Sequence, residues 1–133
     1  MDDILINKAA TIERCIKRIH EEYGDDFRTN YTKQDAIILN IERACQAAID
    51  MATHLIRIKK LDIPQTSREI FSILENHNFI DKLLSKNLQA MVGFRNIAVH
   101  DYALLNLDIV EEIIKKHLDD FTKFTKIVLK LKP

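Results

Sequence analysis

Two glycines and two prolines in 133 residues leave this chain almost no means of turning tightly. Glycine supplies the positive-φ positions, and proline the preset corners, on which hairpins and tight loops depend. Collagen-like, propeller and many-stranded β architectures are therefore all but excluded, and long helices joined by a few connections remain. The length fits one domain spanning residues 1–133, large enough to bury a core without disulfides or metal. With 47% hydrophobic and 30% charged residues, the chain is too balanced for disorder. No apolar run reaches the roughly 18 residues that a membrane helix needs. The opening Met1-Asp2-Asp3 is too acidic for a signal peptide. A soluble, cytoplasmic, all-α chain is expected.

Apolar side chains recur at helical spacing in five segments. The first carries Leu5, Ala9, Ile12, Cys15, Ile16, Ile19 and Tyr23, with Gly24 placed to stop it. The second follows Thr32-Lys33-Gln34-Asp35, which reads as a weak capping box. Its stripe of Ile38, Ile41, Cys45, Ala48, Ala52 and Leu55 is widened by Ile37, Ala44, Ile49, Met51 and Ile58. So wide a stripe predicts burial on two sides, inside a bundle or at a subunit interface. Pro64 breaks the chain, and Thr66-Ser67-Arg68-Glu69 offers a second capping box for a short helix ending near Asn76. A fourth segment, about residues 81–99, aligns Leu84, Leu88, Met91, Val92 and Ala98. The last, from about Leu107, aligns Val110, Ile114, Phe121, Phe124 and Val128. The whole predicts an antiparallel bundle of about five helices.

Charge narrows function little, since Lys plus Arg and Asp plus Glu both count 20. Lys123, Lys126, Lys130 and Lys132 form a basic tail that either touches RNA phosphates or complements a helix end. Cys15 and Cys45 sit among apolar neighbours and read as reduced core thiols. His20, His54, His77 and His117 occur singly. His20 lies beside Glu21, Glu22, Asp25 and Asp26, a run that reads as a solvated loop rather than a metal site. Glycine-rich phosphate loops, nucleophile elbows and zinc signatures are absent from the sequence.

The informative stretch is Gly93 to Tyr102, where Arg95, Asn96, His100, Asp101 and Tyr102 gather at the end of an apolar helix. An arginine fork matches phosphoryl oxygens, and a histidine can take or give a proton near neutral pH. Together they suit RNA cleavage, in which the 2′-hydroxyl attacks the adjacent phosphorus. Asn96 can add an amide hydrogen bond, Asp101 can orient the imidazole, and Tyr102 can hold phosphate or ribose. Five residues of helix separate Arg95 from His100 by about 140°. The two converge only if the helix ends or bends near His100, or if a second subunit contributes its copy.

Residues 95–102 match the R-x4-H-x-Y motif, and in this the chain resembles the HEPN superfamily, in particular its HepT branch. The run Leu88 to Gly93 leading into the motif, the restart at Leu107-Asp108-Ile109-Val110 and the wide second helix extend the likeness over essentially the whole chain. The resemblance implies a helical homodimer with two facing motifs. It implies a metal-independent ribonuclease toxin of a type VII-like toxin–antitoxin module, acting on cellular RNA, with tRNA the expected target. Arg95 and His100 would be the catalytic pair, supported by Asn96, Asp101 and Tyr102. It implies no metal and no bound cofactor. A cognate nucleotidyltransferase (MNT) antitoxin would transfer AMP from ATP to Tyr102 and so silence the site. The alternative is a non-catalytic module that binds nucleotide or RNA as the accessory subunit of a nucleotidyltransferase.

Overall fold

Asp81 and Thr66 begin helices where the sequence places them. The computed structural model describes residues 2–131. Among these, all regular structure is helical: α1 (Asp3–Glu22), α2 (Tyr31–Ile58), α3 (Ser67–Asn76), α4 (Lys82–His100), a 3-10 turn (Tyr102–Leu104) and α5 (Leu107–Glu112). A π-helical turn (Ile113–His117) then leads without a loop into α6 (Leu118–Lys130), so α5 and α6 make one interrupted rod. Five rods result, as the periodicity predicts.

Side-chain caps set most of the starts. The Asp81 carboxylate accepts the Leu84 N–H at 2.7 Å, and the Thr66 hydroxyl accepts that of Glu69 at 3.2 Å. The reciprocal bond of the second box lands one residue early, because Glu69 accepts from the Gln65 amide. The first box is a correction. Asn30, not Thr32, caps α2, accepting the Lys33 N–H at 3.1 Å, so Thr32 already lies inside the helix. Either residue type can cap, and Asn30 comes first.

The helix stops also differ from expectation. Gly24 has no positive φ; α1 ends because Tyr23 turns extended, at φ −75° and ψ 127°. The left-handed positions belong instead to Lys60 and Asn78, with φ of 53° and 62°. At Lys60 the Leu61 amide reaches back to the Ile56 carbonyl at 3.0 Å and the Lys60 amide to that of Arg57 at 3.2 Å. Asn78 closes α3 with the same pair of bonds, Phe79 to Leu74 and Asn78 to Glu75. Both are Schellman stops made without glycine. The chain therefore leaves α2 at Lys60, ahead of Pro64.

α2 is the central helix. It runs antiparallel to α1, since Lys8 pairs with Asp50 at 3.1 Å and Asp2 with His54 at 2.7 Å. α3, α4 and α6 pack on its other flanks. Of its wide stripe only Ile58 is left exposed. The stripe is thus filled inside one chain, and it gives no sign of a subunit interface. Phe27, Phe71, Phe121 and Phe124 complete the core, the Phe71 and Phe124 rings meeting edge to face at 5.7 Å. Arg28 bridges Asp108 and Glu111, and Tyr23 donates to Glu111, tying the loop after α1 to α5.

Candidate functional site

Two contacts fix how α2 and α4 face each other. The Cys45 thiol donates to the Met91 carbonyl at 3.6 Å, and one helix end away the Tyr102 phenol donates to the Asp35 carboxylate. Ascending numbers on one helix thus meet descending numbers on the other, and the pair is antiparallel. Met91, Arg95 and Ala98 follow one another at helical spacing along the flank of α4 that looks at α2, and Tyr102 comes beside α2 from the turn that follows.

Arg95 is half-buried on that flank. Its Nη1 donates to Asn96 Oδ1 at 3.2 Å, while its buried Nε has no hydrogen-bond partner. No carboxylate among the described residues neutralises it. Burial pushes the Cys45 thiol far above its ordinary range, and the Arg95 guanidinium opposes that rise. A cation held this way, with donors left over, is prepared for an anion.

His100 is the last residue of α4 and is exposed. The helix does not stop before it, so the angular separation from Arg95 persists and no hydrogen bond joins the two. Asp101 does not orient the imidazole here. Its amide caps α4 by donating to the Ile97 carbonyl at 2.8 Å, and its carbonyl accepts from Leu104 at 2.8 Å. Tyr102 stands on the 3-10 turn, 46% exposed, with its hydroxyl engaged by Asp35. Partial burial, then the Asp35 carboxylate, push the phenol up to about 12.

The opposite flank of α4 borders an open cleft of about 530 Å³ lined by Arg68, Gly93, Asn96, Ile97, Leu104 and Ile109, among others. Arg68 lies directly over Gly93: a Cβ there would stand 2.3 Å from its Nη2. The glycine lets the guanidinium lie against the helix. Ile97, Val99, Leu104 and Ile109, in and just after the motif, are all exposed.

The remaining polar candidates are absorbed by the fold. His54, His77 and His117 pair with Asp2, Asp62 and Asp120, while His20 is solvent-exposed. Asp26, in the acidic loop, accepts from Asn30 and Lys33. Cys15 and Cys45 are buried free thiols. Lys123, Lys126 and Lys130 are exposed, and Lys132 lies outside the described residues. Asp35 and Arg68 also carry site contacts, although in the sequence they stand only as members of capping boxes. The stripe of α2 held one clue: Cys45, Ile41 and Ile38, stepped back once more, lead to Asp35.

The sequence model of the family described as Ribonuclease HepT-like matches residues 10–128. This chain belongs to the HepT-like family. The chain is also similar to the mRNA nuclease HepT of Shewanella oneidensis, at 53% identity over 130 residues, covering 96% of this chain and 98% of that protein. The fold of this HepT-like chain matches the tri-AMPylated Shewanella oneidensis HEPN toxin solved in complex with its MNT antitoxin. The TM-score is 0.94 and the identity 52%, over 98% of this chain and all (100%) of that one. A toxin–antitoxin complex solved with AMP-PNP matches at a TM-score of 0.95 and 51% identity, over 98% and 100% of the two chains. The all-α HEPN-like fold and the family expected from the motif are both borne out. Among the described residues no helix is long and apolar enough to cross a membrane.

Proposed function

We propose that this chain is the ribonuclease toxin of a toxin–antitoxin pair, one HepT-like domain over its whole length, acting in the cytoplasm where RNA and ATP are found. The observation that carries the reading is Arg95: a half-buried, unneutralised guanidinium with an orphaned Nε, on the helix that ends in an exposed His100. In the proposed reaction the substrate's 2′-hydroxyl loses its proton and attacks the neighbouring phosphorus. Arg95 stabilises the negative charge growing on the phosphoryl oxygens. His100 moves a proton at the attacking or the leaving oxygen. Asn96 holds one arm of the Arg95 fork. The bond from phosphorus to the 5′-oxygen breaks as the new bond forms, water exchanges the second proton, and the products are a 2′,3′-cyclic phosphate and a 5′-hydroxyl end.

The angle between Arg95 and His100 supports a site built from two copies of the chain. A homodimer that brings the C-terminal ends of the two α4 helices together would set the exposed His100 of one copy near the Arg95 of the other. The AMPylated Shewanella toxin, alike over nearly the full chain, supports Tyr102 as the acceptor of AMP from ATP and an MNT-type nucleotidyltransferase as the partner. AMP on Tyr102 would set bulk and negative charge two residues from His100, where both repel a polyanionic substrate. The relative's name directs the substrate search to mRNA, with tRNA as the second class.

The test is cleavage of mRNA and tRNA in EDTA by the unmodified chain, beside Arg95→Ala and His100→Ala. Cyclic phosphate ends from the parent alone are expected. Undiminished cleavage by His100→Ala removes the catalytic assignment. An inert parent, shown by mass spectrometry to be unmodified, leaves the accessory-subunit reading.

A further inference from the structure

The Tyr102 phenol is bonded to a residue outside the motif. Asp35 is exposed in the second turn of α2, and among the described residues its carboxylate takes no hydrogen bond except that from Tyr102. We propose that Asp35 is the catalytic base of AMP transfer, taking the Tyr102 proton as the phenolic oxygen attacks ATP. The inference rests on the reading of Tyr102 as the AMP acceptor.

The phenolic oxygen forms a bond to the α-phosphorus of ATP. The bond from that phosphorus to the bridging oxygen breaks, and pyrophosphate leaves with the electron pair. The phenolic proton passes to the Asp35 carboxylate. A protonated phenol is a poor nucleophile. With its pKa pushed up to about 12, the ionised form of Tyr102 is scarce at neutral pH. The proton must therefore leave as the new bond forms, and it needs an acceptor already in contact with the oxygen. Asp35 meets that geometry in the free chain. Asp35 is also the charged group acting on the phenol among the described residues. The same bond holds the tyrosine on the turn after α4, with its hydroxyl at a fixed place beside α2.

The experiment follows single-turnover transfer from ATP by the cognate nucleotidyltransferase, at saturating partner and nucleotide. Intact-mass spectrometry compares the parent, Tyr102→Phe, Asp35→Asn and Asp35→Glu. The expected result is a saturating rate about 100-fold lower for Asp35→Asn, with an unchanged half-saturating concentration. That rate should climb with pH as solvent takes over the proton, and Asp35→Glu should restore much of it. A parent-like saturating rate for Asp35→Asn, or a loss confined to the half-saturating concentration, overturns the base assignment while Tyr102→Phe stays unlabelled. Should Tyr102→Phe accept AMP as readily as the parent, the acceptor reading fails, and the role of Asp35 fails with it.

Discussion

The Tyr102 phenol and the Asp35 carboxylate are joined across 67 positions of sequence, one on the turn that follows α4 and the other in the early turns of α2. The bond fastens the turn after the motif helix to the exposed first part of the central helix. It also reads out directly, because a carboxylate accepting from a phenol favours the protonated ring.

Tyr102 should ionise near pH 12, where an unperturbed tyrosine titrates at 10.0. Desolvation remains when the carboxylate is removed, so Asp35→Asn should lower the midpoint only part of the way to the ordinary value. Ring-carbon chemical shifts of labelled tyrosine, followed with pH, separate Tyr102 from Tyr23 and Tyr31. A midpoint for Tyr102 at the ordinary value in the parent would remove the bond in solution.

Gly93→Ala should be tolerated, against the usual expectation for a glycine under a close contact. The atom in the way is the far end of a flexible arginine, 2.3 Å from the new Cβ. Alanine is favoured over glycine inside a helix by about 1 kcal/mol. Denaturant melts should show stability unchanged or up to about 1 kcal/mol higher, with the Arg68 guanidinium displaced in a structure of the variant. A clear loss of stability would mean that Arg68 is held rigidly over α4.

Lys60→Gly should stabilise the chain by about 0.5–1 kcal/mol, because Lys60 closes α2 in the left-handed region at φ 53°. Lys60→Ala keeps the Cβ and should gain nothing. Chemical denaturation of the two variants side by side checks the contrast, which disappears if the stop rearranges.

Asp2 both caps α1 and pairs with His54, and the two roles separate with pH. The hydrogen bond from His54, then the Leu5 amide, hold the Asp2 carboxyl below its ordinary 3.8. A carboxyl lowered in the folded state stabilises that state above 3.8 and ceases to do so as pH falls through the lower, folded value. Asp2→Asn retains a good cap and loses the charge. Its melting temperature should lie below the parent's near neutrality, and the gap should close in acid below the ordinary carboxylate range. A gap that stays constant with pH would assign the effect to capping.

The helices were legible because a 3.6-residue period needs only a dozen residues to declare itself, and the starts at Thr66 and Asp81 because a cap acts on amides three residues away. The stop at Lys60 was hidden: its left-handed backbone is fixed by bonds back to Ile56 and Arg57, not by the residue type. In the site, Arg95, Asn96, His100 and Tyr102 were visible as a local cluster. The contacts of Asp35 and Arg68 come from helices distant in sequence, and no local pattern announces such a meeting. The breadth of the α2 stripe was read correctly as two-sided burial, but a stripe cannot say whether its second cover is the same chain or another.

Within the π turn the Leu118 amide reaches back five residues to the Ile113 carbonyl. An ordinary helix reaches back four, so the last rod holds one residue more than its rise requires. Lys115 and Lys116, both exposed there, are therefore dispensable in a way that their neighbours are not. Deleting either lets the turn relax to plain α geometry while Phe121, Phe124 and Val128 keep their directions into the core. The same deletion at Asp119 swings everything beyond it by about 100° and carries those side chains to the surface. The rod has slack in its length at one place only, and there a shortened chain should still melt cooperatively.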